Sequence, residues 1–169
     1  LYVEAWKALI QAQKMGLIRS IGVSNFEPEH LDKIITETGV TPAVNQIEIH
    51  PYWVQERMVK ANAERGIITE AWSPLGRGND ALEEPIITSL AEKYGKTAGQ
   101  IVLRWHVERG IVPIPKSRHL IHQRKNLAIF DFELTEEEVE KFLSLYKKSI
   151  EDLVQLFSAD QRMKEYLGL

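Results

Sequence analysis

AVNQIEI, residues 43–49, is the stretch on which the fold turns. It reads as a strand, and it lies between two helical patterns rather than beside a second strand. On its N-terminal side, Pro28 at a first-turn position opens a helix that runs to about Thr38 and is stopped by Gly39. On its C-terminal side, a helix near 55–65 ends at Gly66 and gives way to another strand, IITEAW, at 67–72. Strands that take turns with helices imply a parallel sheet with helices packed against it. The alternation continues both ways. RSIGVS (19–24) supplies an earlier strand, preceded by a helix at 2–15 in which Val3, Trp6, Leu9 and Ile10 recur at helical spacing and Gly16 stands at the cap. Further on, the interval 85–109 carries two helical patterns split by Gly95, and IVPIP (111–115) gives a fourth strand with two prolines near its end.

Four strand–helix units therefore fall within about 125 residues, whereas a closed eightfold barrel takes ~250. The chain has room for half of one. From Thr135 the character changes: Thr135 and Glu138 form a capping box, and Val139, Phe142, Tyr146, Ile150, Leu153 and Phe157 step by three or four residues along a long amphipathic helix. Ser158 with Gln161 reads as a second capping box, opening a short final helix that carries Met163, Tyr166 and Leu167. The expected division is a barrel-type unit over 1–134 and a helical extension over 135–169.

Composition narrows the function. With 24 acidic and 21 basic residues the formal charge is −3, and no basic stretch offers the clustered Lys and Arg that neutralising phosphates of a nucleic acid requires. No apolar run approaches the roughly 20 residues that span a bilayer, and no secretory signal opens the chain, so a soluble cytoplasmic protein is expected. The absence of cysteine excludes disulfides, thiolate metal sites and cysteine nucleophiles. His50, His106, His119 and His122 show no metal-ligand spacing. The first residue is Leu1 rather than Met, which suggests a fragment or a processed chain.

Barrel enzymes build their sites at the C-terminal ends of the strands. Here those ends present Ser24 and Asn25, then Gln46, then Trp72 and Ser73, then Lys116 and Ser117. Ser, Asn and Gln offer paired donors and acceptors for a flat amide, and Trp72 offers a face for a planar ring. Gly76 and Gly78 let backbone N–H groups approach a phosphate, and Lys116 can neutralise one. Taken singly each also has a structural reading: a turn or cap for Ser24 and Asn25, a satisfied polar core group for Gln46, core packing for Trp72.

In order and spacing, GVSNF (22–26), VNQIEIHPY (44–52), AWSPLGRG (71–78) and IPKS (114–117) resemble the C-terminal half of an aldo-keto reductase, and FDFELTEEEVE (130–140) resembles the segment after that family's eighth helix. The resemblance implies an α/β fold, a parallel TIM-type (β/α)8 barrel of which this chain supplies about the last four βα units. It implies reversible hydride transfer between NADP(H) and an aldehyde or ketone. Ser24, Asn25 and Gln46 would then hydrogen-bond the nicotinamide carboxamide, and Trp72 would stack on the ring where the family more often has Tyr. Ser73, Leu75 and Gly76 would line the pyrophosphate, Lys116, Ser117 and Arg118 would receive the 2′-phosphate, and Asn126 would meet the adenine.

Two departures qualify that expectation. His122 stands where the family commonly has an Arg gripping the 2′-phosphate, and Lys125 where an acidic residue is usual, so NAD becomes possible beside NADP. The family's catalytic Asp, Tyr, Lys and His belong to the first half of the barrel, which nothing here resembles, so no catalytic residue is assigned in this chain. The expected partners are a homodimer mate or a complementing N-terminal half, and a small carbonyl substrate once that half is present. The alternative is a non-enzymatic half-barrel that serves as an oligomerisation or nucleotide-binding scaffold.

Overall fold

The computed structural model describes residues 1–78 and 80–159, without the side chains of 148–159. Along the chain run α1 (Tyr2–Lys14), β1 (Val23–Ser24), α2 (Pro28–Thr38), β2 (Val44–Glu48), α3 (Glu56–Glu64), β3 (Ile68–Trp72), α4 (Pro85–Tyr94), α5 (Ala98–Glu108), β4 (Val112–Pro113), α6 (Leu120–Leu127) and α7 (Glu136–Ala159). The four strands form one parallel sheet in the order β1-β2-β3-β4, each pair joined through a helix. This is an α/β fold, as the alternation predicts.

The pleat sends successive side chains to opposite faces. On one face, Asn45, Ile47, Thr69 and Ala71 are buried. Ile47 and Ala71 join Met58, Leu90, Ile101 and Trp105 from the helices in the main core, while Val3, Trp6 and Ile10 of α1 pack with Ile21 and Ile34 in a second cluster. The pairing register puts Ser24, Gln46, Glu70 and Val112 in one row across the sheet. Their side of the sheet stays open to solvent: Ile68, Val112 and Ile114 are 52%, 46% and 40% exposed.

The local signals match the elements. Gly39 and Gly95 end α2 and α4 with left-handed backbone, at φ 68° and 61°, which glycine adopts without a Cβ clash. At Gly22 the sheet itself demands glycine, since a Cβ there would lie 2.9 Å from the Val44 carbonyl oxygen. Two strands are shorter than the sequence suggests. β1 is confined to Val23–Ser24 rather than 19–24; Ala43 N–H still donates to Ile21 O at 2.9 Å, and the Arg19 carbonyl accepts the Gln13 side-chain amide at 2.9 Å. β4 is cut to two residues because Pro113 and Pro115 have no N–H to donate, with Ile114 N–H reaching Ala71 O at 3.0 Å.

At the start of α7, Thr135 and Glu138 make the expected capping box: Glu138 N–H donates to Thr135 Oγ1 at 3.2 Å and Thr135 N–H to Glu138 Oε2 at 2.9 Å. Phe142 stacks on Trp105 with centroids 5.1 Å apart, and Phe142 and Leu145 are buried in the main core. The helix runs through Ser158 to Ala159. The side chains of Ile150, Leu153 and Phe157, and the expected final helix with Gln161, Met163, Tyr166 and Leu167, lie outside the described residues. No helix among the described residues is long and apolar enough to cross a membrane.

Candidate functional site

At the carboxyl end of the sheet, the turn after β1 is held from two sides. Ser24 Oγ donates to the Gln46 carbonyl oxygen at 3.0 Å, and Asn25 N–H donates to the same oxygen at 2.9 Å. Beneath the turn, fully buried Asn45 donates through Nδ2 to Phe26 O at 2.9 Å and to Asn62 Oδ1 at 3.2 Å, and Asn62 Nδ2 donates in turn to Thr69 Oγ1 at 2.9 Å. Asn25, the residue before Phe26, has a left-handed conformation, φ 56°, which Asn tolerates better than most other non-glycine residues. The Trp72 indole N–H donates to Asn25 Oδ1 at 3.0 Å, and Gln46 Nε2 donates to Glu70 Oε2 at 3.0 Å. Ser24, Asn25, Gln46 and Trp72 are thus brought together as one hydrogen-bonded group.

After β3 the chain turns sharply, with Ser73, Gly76, Arg77 and Gly78 all at positive φ. Arg77 Nε donates to Ser73 Oγ at 2.6 Å, and its guanidinium lies 4.7 Å from the Trp72 ring centroid, covering one face of the indole. A second group gathers around a cleft of about 270 Å³ lined by Leu75, Thr97, Gly99, Lys116, Ser117, His122, Lys125 and Asn126. Ser117 is fixed there by His119 N–H, which donates to its Oγ at 3.2 Å. Three basic side chains, Lys116, His122 and Lys125, at one cleft suit an anion. Arg118, expected at the same place, is exposed and does not line it.

Sequence reasoning missed Asn45, Glu70, Arg77 and Lys125 as members of these groups. For Glu70 a signal existed: period-two counting from Trp72 puts it on the face of Gln46. His106 is fully buried, with Nδ1 2.8 Å from Val102 O and Nε2 3.0 Å from Ile49 O, and burial pushes its pKa down to about 4. Among the described residues no group of three His, Cys, Asp or Glu could hold a metal.

The fold is α/β, with amide, aromatic and basic side chains gathered at the carboxyl end of one parallel sheet. The chain belongs to the aldo/keto reductase family, whose sequence model matches residues 2–147. It is 48% identical over 145 residues to the methylglyoxal reductase DkgA of Escherichia coli K12, covering 85% of this chain and 53% of that protein. To 2,5-diketo-D-gluconic acid reductase B of a Corynebacterium species it is 46% identical over 151 residues, covering 89% and 54%. The crystal structure of a Bombyx mori aldo-keto reductase in complex with NADP superposes with a TM-score of 0.80 at 38% identity, over 85% of this chain and 50% of that one. The chain spans about half the length of the relatives it matches.

Proposed function

We propose that this chain is the cofactor-holding half of an NADP(H)-dependent reductase of small aldehydes and ketones. Residues 1–134 are the last four βα units of a (β/α)8 barrel, and the helix from 135 is an extension anchored on them. The observation that carries this reading is the placing of an amide-bearing row and a basic cleft at the same end of one parallel sheet. The residues fit the cofactor's parts. The side-chain amides of Asn25 and Gln46 each keep one end, Nδ2 and Oε1, without a protein partner among the described residues, which suits a carboxamide. Trp72 keeps one ring face for the nicotinamide, and the turn through Ser73, Leu75 and Gly76 lines the pyrophosphate. Lys116, Ser117, His122 and Lys125 hold the 2′-phosphate, Arg118 adds charge at the rim, and Asn126 meets the adenine.

When bound, NADPH supplies the hydride that a carbonyl carbon accepts. What this chain contributes is orientation of that donor; a proton must still reach the carbonyl oxygen from a general acid. The chain's motifs assign it none, so the acid comes from a complementing first half. Two features support such a partner: the open inner face with Ile68, Val112 and Ile114, and an apolar groove of about 610 Å³ along β4 between α5 and α6, lined in part by Leu103, Val107, Leu127 and Phe130. The same features support the second reading, a scaffold that closes against another copy of itself. The names of the two relatives favour a small dicarbonyl as the test substrate. Incubating the purified chain with NADPH and methylglyoxal should give no turnover alone, and turnover once a first-half chain is added. Enzyme-like turnover by the chain alone, abolished by Gln46→Ala, would put the acid in this half and overturn the assignment.

A further inference from the structure

Asparagine and glutamine amides have one shape and two polarities, because turning the group by half a rotation exchanges a donor for an acceptor. Which polarity faces a ligand depends on what holds the other end. At this sheet end the holders are chemically unambiguous. A carboxylate only accepts, so the contact between Gln46 and Glu70 at 3.0 Å must use the Gln46 NH₂, leaving Oε1 toward the site. An indole N–H only donates, so the contact between Trp72 and Asn25 at 3.0 Å must use Asn25 Oδ1, leaving its NH₂.

We infer that Glu70 and the Trp72 indole N–H are positioning residues that lock the two amides in opposite polarities, so that the site presents one acceptor, Gln46 Oε1, and one donor, Asn25 Nδ2, to a primary carboxamide. The inference rests on the cofactor reading above and adds what neither residue's place in a motif supplies: Glu70 acts through Gln46, and the Trp72 N–H acts through Asn25. The register supports the pairing, since Gln46 stands directly opposite Glu70 and Ser24 opposite Gln46, with Asn25 next along the chain. Trp72 therefore has two separable parts, a ring face for stacking and an N–H for orientation, of which Tyr at the same position would lack the second.

The test uses calorimetric affinities of the 169-residue chain for NADP⁺ and for its 3-acetylpyridine analogue, which keeps the carbonyl and replaces the NH₂ by a methyl group. The wild type should bind NADP⁺ about tenfold more tightly, since only the carboxamide donates to Gln46 Oε1. Glu70→Lys, which can only donate, turns Gln46 so that its NH₂ faces the ligand and should bring the ratio to within about twofold of unity, whereas Glu70→Gln, able to bond either polarity, still lets Gln46 accept from the carboxamide and should hold the ratio within about twofold of the wild-type value. Trp72→Phe keeps a ring and frees Asn25, so it should weaken both ligands alike and leave the ratio near its wild-type value. Circular dichroism checks that each variant is folded, and Glu70→Arg provides a second donor-only partner. Binding of both ligands with equal affinity by the wild type, or an unchanged ratio in folded Glu70→Lys and Glu70→Arg, overturns the polarity lock while leaving the cofactor reading standing. No saturable NADP⁺ binding by the wild type overturns the cofactor reading and this inference with it.

Discussion

Asn45 has no contact with any proposed ligand, yet its amide joins the turn after β1 to α3 and β3. Replacing it by Ala would take this donor from the part-buried Phe26 O and from the buried Asn62 Oδ1, and the buried group left unpaired costs about 1–3 kcal/mol. Asn45→Ala should therefore lower stability by about that much in urea unfolding, and it should weaken NADP⁺ binding through the displaced Asn25. A variant as stable as the wild type would show that the network holds nothing. The same residue explains what the sequence left unread. The structural alternative weighed for Gln46, a satisfied buried polar group, describes its neighbour Asn45, because adjacent strand residues face opposite sides and neither composition nor motif spacing says which side is the core. Ser24, Asn25, Gln46 and Trp72 were legible because a shared motif order fixes them as a set. Glu70 was passed over although period-two counting puts it on their face, because its contact is with a cross-strand partner 24 residues away.

Between strands and helices, α7 is the element whose attachment is most open to measurement. Its first turn is tied to α4 through Glu138, which accepts from the Lys93 ammonium and, at 2.7 Å, from the Tyr94 hydroxyl. Burial alone would push the Glu138 carboxyl up; Lys93, the Thr135 N–H and Tyr94 outweigh it and hold the group down at about 2. A carboxyl whose folded value is depressed contributes stability that is complete above its unfolded value, near 4.3, and that is lost as pH falls toward 2. Glu138→Gln should therefore lower the melting temperature at pH 7, and the gap to wild type should narrow between about pH 4.5 and pH 2. A gap that stays constant with pH would show that packing, not charge, is lost. Phe142→Ala removes the ring stacked on Trp105 and should cost about 3–5 kcal/mol, read by urea unfolding. The start of α7 could be read from Thr135 and Glu138 because a capping box is local. The lengths of β1 and β4 could not, since a ladder depends on pairing partners far along the chain.

For the whole molecule, the sheet buries one face and leaves the other open, with β1 and β4 at its two edges. Open edges with apolar side chains favour pairing with another chain. Light scattering during size exclusion should accordingly give a mass above the 19.4 kDa of one chain, and a single species of that mass at high concentration would refute association. The alternation around AVNQIEI sufficed to read the parallel sheet, whereas the open face could be read only as a shortage of residues for a full barrel. The central claim, that this chain holds the NADP(H) site of an aldo/keto reductase, is tested most directly by calorimetric titration of the chain with NADP⁺ and NAD⁺, beside Lys116→Ala and Lys125→Ala. The account predicts saturable binding of one NADP⁺ per chain, and a greater loss of affinity for NADP⁺ than for NAD⁺ in both variants. Absence of NADP⁺ binding, or binding that both substitutions leave unchanged, would contradict it.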